Sequence, residues 1–75
     1  MNFVHVNDYR LGNETYKGRY KGYNCTVSMF MRQWHFKIEK YTKDSYYFSE
    51  SQETFNTFDE CVNACKNYID GREDG

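Results

Sequence analysis

The chain is predicted to be an α+β domain, a three-stranded antiparallel β-meander packed on one C-terminal α-helix, and three observations predict it. Trp34, Phe36 and Ile38 alternate with His35, Lys37 and Glu39, the signature of a half-buried strand. A second alternating run, Tyr23, Cys25, Val27, Met29 and Met31, stands just before it. After Thr57 the apolar spacing changes to the helical period. Seventy-five residues supply one hydrophobic core, so residues 1–75 are read as a single domain.

Each element follows from its own residues. Phe3-Val4-His5-Val6 alternates weakly and can add a short N-terminal strand or an ordered arm, while Asp8 to Gly18 mixes Asn, Gly, Glu and Thr and reads as loop. Residues 1–19 are therefore an arm and loop, and the meander covers 20–49. Its first strand runs from Tyr20 to Met31, Arg32-Gln33 makes a tight connection, and Thr42-Lys43-Asp44-Ser45 turns into a third strand, Tyr46-Tyr47-Phe48-Ser49. The helix covers 57–70. Thr57 and Glu60 form a Thr-x-x-Glu capping box, and Phe58, Cys61, Val62, Cys65, Tyr68 and Ile69 share one face. Asp59 and Glu60 complement the dipole of the first turn. Gly71 is read as a left-handed C-cap, with residues 71–75 fraying beyond it.

Composition narrows the function classes. One Trp, eight Tyr and six Phe in so short a chain argue against disorder. No apolar run approaches the roughly 18–20 residues of a membrane span, and the first residues have neither a basic segment nor an apolar one like a signal peptide. Three cysteines are few and odd in number for a secreted scaffold, so a cytoplasmic location is expected and the triplets at Asn13 and Asn24 carry no glycosylation meaning. Cys61 and Cys65 lie one helical turn apart on the apolar stripe, where a thiol packs as a small hydrophobe. A metal site completed by Cys25, His5 or His35 is the competing reading, but the spacing is not that of a zinc knuckle. No metal and no cofactor is expected.

Catalysis is not expected either. His5 and His35 are the only histidine bases, neither stands in a nucleophile motif, and the five glycines are scattered rather than gathered in a phosphate loop. A sandwich this small rarely encloses a pocket of ~300 Å³ or more. Charge is more informative. Residues 16–43 carry seven Lys and Arg against one acid, and residues 44–75 carry eight acids against two bases. Mutual attraction of the two halves in the fold is the plain explanation.

The strand phases place Phe30, Arg32, His35 and Lys37, with one of Tyr46 and Tyr47, on the sheet face away from the helix. Aromatic and basic side chains together suit a protein interface or a nucleic-acid surface. The competing expectation is that the N-terminal segment folds across this face and buries the rings.

Tyr20-Lys21-Gly22-Tyr23, Trp34-His35-Phe36-Lys37-Ile38 and Phe55-Asn56-Thr57-Phe58-Asp59-Glu60-Cys61-Val62-Asn63-Ala64 carry a resemblance. Over residues 20–70 the chain resembles the three-strand-plus-helix DNA-binding domain of plant ethylene-response factors, also seen as the arm-binding domain of some phage integrases. That resemblance implies a sheet lying in the major groove and presenting Arg and Trp to DNA. Here the first strand presents Asn24, Thr26, Ser28 and Phe30 where the family has several arginines.

The leading expectation is a small non-enzymatic protein-binding module, an inhibitor or adaptor, acting through Phe30, Arg32, His35, Lys37 and Tyr47. A Met-initiated chain of this size without targeting signals fits a phage or mobile-element accessory protein. The alternative is a nucleic-acid-binding domain using Lys17, Arg19, Lys21, Arg32, Lys37 and Lys40, where about 5 phosphate contacts would give a log affinity–log salt slope of roughly −4.5. A homodimer through the same face is a third reading. No membrane partner is expected.

Overall fold

Two tight turns with left-handed backbone set the register of the sheet. The computed structural model describes residues 3–6 and 14–74. Lys21 and Gly22, at φ 49° and 84°, join the paired residues Tyr20 and Tyr23. Met31 and Arg32, at φ 54° and 66°, join Phe30 and Gln33. Positive φ at both central residues matches the twist of the flanking strands. At Gly22 it is this backbone conformation that favours glycine, since a Cβ would meet only Lys40 Cε at 3.8 Å.

The result is one five-stranded antiparallel sheet in the order β1-β2-β3-β4-β5, with β1 at Val4–Val6, β2 at Thr15–Tyr20, β3 at Tyr23–Phe30, β4 at Gln33–Tyr41 and β5 at Tyr46–Glu50. A single helix, α1 at Phe58–Asp74, covers one face. The α+β class and the meander of β3, β4 and β5 agree with the reading of the sequence. Three details differ. The stretch read as loop becomes β2 from Thr15 onward, and Tyr20, read as the start of the first meander strand, is its last residue, because pairing with β3 supplies the burial that its composition hides. In its inward line Tyr16, Gly18, Tyr20, the middle residue has no side chain, and the alternation disappears from view. Residues 8–13 of that expected loop lie outside the described residues. The second turn sits one residue earlier than expected, on Met31-Arg32, without altering which face each side chain takes.

The third difference is the end of the helix. It continues through Gly71 to Asp74. Gly71 has no positive φ and caps nothing; the expected frayed tail is helical over 71–74, and Gly75 lies outside the described residues. Tertiary partners hold this last turn, as described below. At the other end Thr57 caps as expected, its Oγ1 accepting from the Glu60 N–H at 3.1 Å.

The core lies between α1 and the inner face of the sheet. Cys61, Cys65 and Ile69 of the helix meet Cys25, Val27, Phe36 and Ile38, all buried. At the start of the helix Phe58 collects three aromatic rings, Trp34 of β4 at 5.4 Å, Tyr16 of β2 at 4.8 Å and Phe3, just before β1, at 5.7 Å between centroids. Phe3 therefore packs on the helix side of the sheet and Val4–Val6 form an edge strand; residues 7–13 of the segment expected to cross the outer face lie outside the described residues.

Thr57→Ala should lower stability by about 1 kcal/mol through the lost cap, read as a lower Tm. Gly71→Ala should raise it by about 1 kcal/mol, because a Cβ there meets nothing within 4 Å and the backbone is helical. A C-cap role for Gly71 would give the opposite sign.

Candidate functional site

Antiparallel pairing puts directly opposed residues on the same face, so the register states what the outer face presents. One row crosses Val4, Lys17, Thr26, Lys37 and Glu50, and the next crosses Arg19, Asn24, Glu39 and Phe48. A third contains Thr15, Ser28 and His35, and the ends are Phe30 opposite Gln33 and Tyr41 opposite Tyr46. The centre is thus polar with bases and acids side by side, and the apolar groups stand at its margins. Between Lys17, Arg19, Asn24 and Thr26 lies a shallow groove of about 410 Å³.

Phe30 is 56% exposed on this face, as expected. Next to it, Met31 and Arg32 hold the positive-φ turn with side chains that disfavour it, both exposed. His35 is half-buried, its Nε2 3.1 Å from Ser28 Oγ, and Lys37 is exposed. Tyr47 is a correction. It pairs with Lys40 and so points to the helix side, where its hydroxyl lies 2.9 Å from that of Tyr68 and the Arg72 guanidinium sits 3.5 Å over its ring. The strand residue that joins the outer face is Tyr46, together with Phe48, which sequence reasoning had not singled out. The Tyr46 and Tyr41 rings lie tilted against each other at 4.7 Å and both donate to Glu39 Oε2, at 2.9 and 3.1 Å. That carboxylate pushes the Tyr46 phenol up to about 12. The period-two phase of β5 was the available signal, but its four consecutive residues Tyr46-Tyr47-Phe48-Ser49 fit either phase.

The basic residues divide between two surfaces. Lys17, Arg19 and Lys37 lie on the outer face and Arg32 at its tip. Lys21 and Lys40 instead reach to the helix: Lys21 Nζ is 2.7 Å from Asp70, and Lys40 Nζ is 3.5 Å from Glu73 and 4.9 Å over the Tyr23 ring. The same helix end receives two tyrosines. Tyr20 donates to Asp70 at 2.9 Å; Tyr23 donates to Glu73 at 2.7 Å and accepts from Arg72 Nε at 2.9 Å. Part of the opposite charge of the two halves of the chain is therefore spent within the fold. Lys21 and then Tyr20 hold Asp70 below the usual carboxylate range, and Tyr23 and then Lys40 do the same for Glu73.

The thiols form no ligand cluster with the histidines. Cys25, Cys61 and Cys65 are free and fully buried together, whereas His35 is on the outer face and His5 packs against Tyr16. Burial pushes the Cys61 thiol up to about 12, and the hydrogen bond with Cys25, together with burial, raises that of Cys65, which keeps both protonated. Among the described residues no group of three or more His, Cys, Asp or Glu is placed to hold a metal ion, and no helix is long and apolar enough to cross a membrane. A second groove, open and about 550 Å³, lies on the helix side between Phe36, Phe55, Tyr68 and the 49–53 segment.

No family model matches the chain, and no curated protein or solved structure is detectably similar to it.

Because Asp70 and Glu73 have lowered native pKa values, their stabilisation is present above the unfolded values and is lost as pH falls through the native ones. The Tm should fall between about pH 5 and about pH 3, and Asp70→Asn with Glu73→Gln should flatten that fall. An equal fall in the double variant would assign it to other carboxylates.

Proposed function

We propose that this chain is a non-enzymatic protein-binding module whose outer sheet face is the docking surface. One observation carries the reading. Of the seven large apolar side chains exposed among the described residues, Val4, Phe30, Tyr41, Tyr46 and Phe48 stand on the face away from the helix, Met31 stands at its tip, and Tyr68 lies on the helix. Aromatic residues, Met and Arg are the side chains enriched at protein interfaces, and here they stand at the margins of a charged centre. The Met31-Arg32 turn supports it: side chains kept at a backbone that favours Asn-Gly serve something other than stability. Phe30, Arg32, His35 and Lys37 stay in the proposed surface, and Tyr46 and Phe48 take the place of Tyr47.

A nucleic-acid reading rests on the bases left on this face. Lys21 and Lys40 are engaged by helix carboxylates, and Lys17, Arg19 and Lys37 share the face with Glu39 and Glu50. Trp34, the tryptophan matched in the resemblance to ethylene-response-factor domains, is buried against the helix and offers no ring to DNA. The protein-binding reading is therefore preferred.

Capture experiments on a lysate should retain a specific protein with the wild-type chain and with Lys37→Ala, and lose it with Phe30→Ser or Phe48→Ser. In parallel, fluorescence anisotropy of labelled single- and double-stranded oligonucleotides should show no saturable binding at low salt. Binding with a log–log salt slope near −3.6, about 4 phosphate contacts from Lys17, Arg19, Arg32 and Lys37, would establish the nucleic-acid function instead.

A further inference from the structure

The free edge of β5 is distinct from the face that β5 helps to form. In the ladder with β4, Ser51 N–H bonds to Phe36 C=O at 2.9 Å and Thr42 N–H to Ser45 C=O at 2.8 Å. Those two bonds fix the phase of the strand between them. Residues 47 and 49 direct their backbone groups at β4, and Tyr46, Phe48 and Glu50 direct theirs away from the sheet. β5 is the last strand of the sheet, so among the described residues no strand pairs with these groups.

Edge strands normally carry some protection against pairing, such as proline, lysine, a bulge or a covering element. β5 has no proline and no lysine, and its ladder with β4 runs without a bulge from Tyr46 to Glu50. The chain leaves the regular ladder only afterwards: Ser51 still pairs with Phe36, residues 52–54 loop out, and Phe55 returns to Trp34. The open edge is thus confined to Tyr46–Glu50. Over that length it is self-complementary. Antiparallel pairing about Phe48 sets Phe48 opposite Phe48 of a second copy, an aromatic cross-strand pair. It also sets the Tyr46 ring, whose hydroxyl is donated to Glu39 of its own chain, beside the second copy's Glu50, twice by symmetry. Tyr46 and Phe48 are 53% and 47% exposed, so both are available for such contacts.

We propose that a second copy of this chain pairs antiparallel with β5 through the backbone of Tyr46, Phe48 and Glu50, joining the two sheets into one continuous sheet. The twofold axis stands normal to the sheet, so both helices lie on one side and the two outer faces become one surface. Five-residue strands bury less than a standard interface of ~1,200–2,000 Å², so the dimer is weak and concentration-dependent. The inference uses the edge and does not require the docking function of the face.

Sedimentation velocity on the whole chain from about 10 µM to about 1 mM tests it, in the range where small interfaces associate. A reversible monomer–dimer equilibrium is expected. Glu50→Pro removes an N–H that faces away from β4, where an edge strand tolerates proline, and should leave a monomer with nearly unchanged Tm. Should that variant unfold, two others decide by sign: Tyr46→Lys should tighten the dimer and Tyr46→Glu loosen it, each by about fivefold, since each faces Glu50 across the pair. A monomer at every concentration overturns the proposal and leaves the edge to a strand of another protein. Species growing beyond the dimer, or a dimer lost in Phe30→Ser but kept in Glu50→Pro, overturn it as well. Glu50→Pro leaves the exposed aromatic side chains in place, so partner capture with that variant tests the docking surface separately.

Discussion

The close approach of α1 to the inner face of the sheet is the constraint on which the rest of the structure depends. It is set by small side chains. Cys61 and Cys65 on the helix face Cys25 and Val27 on β3, all without measurable exposure or nearly so. Thiols at these positions let the helix lie low over the sheet, and the bulkier Ile38 and Ile69 fill the space beside them. Aromatic rings then close both ends of the layer: Phe58, Trp34, Tyr16 and Phe3 at the start of the helix, Tyr23, Tyr47 and Tyr68 at its end. In a domain this small, rings bury much area per residue and stand in for a deeper core.

The same packing directs the charges. With the helix seated over β3 and β4, its last turn reaches the β2–β3 turn and the end of β4. Acids late in the chain thereby meet bases and tyrosines early in it, as Asp70 does with Lys21 and Tyr20, and Glu73 with Tyr23 and Lys40. These groups are largely solvent-exposed, so each pair contributes modestly. Their joint consequence is structural, since they hold as helix a segment whose glycine and polar composition would otherwise fray. They also withdraw two lysines from any external partner.

The outer face of the sheet is exposed at most of its described residues, Thr15 excepted. It combines a polar, charge-balanced middle with apolar groups at the margins. Phe30 was legible as outward-facing because a single residue out of phase with Cys25, Val27 and Met29 can point only one way. His35 and Lys37 were legible for the same reason. Tyr46 and Phe48 were not, because β5 has no internal contrast of apolar and polar residues by which to choose a phase. The choice is made by pairing with β4 across the four-residue turn at Thr42–Ser45, where the Thr42 side chain binds the Ser45 backbone N–H.

Residue order by itself determined the α+β class, the β3–β4 hairpin with its inward set of Cys25, Val27, Trp34, Phe36 and Ile38, and the capped start of the helix. These features rest on local periodicity and local hydrogen bonds, which neighbouring residues alone specify. Only the tertiary structure decided that Thr15–Tyr20 is a strand, that the helix continues through Gly71, and that Tyr47 belongs to the helix side. Two of these depend on partners distant in the chain, Tyr23 and Lys40 for the helix end and Tyr68 and Arg72 for Tyr47, while β2 depends on β3 across a two-residue turn, with Gly18 breaking the apolar line that would have marked it. Long-range pairing supplies burial and hydrogen bonds that overrule weak local preference, and no pattern within the segment records it.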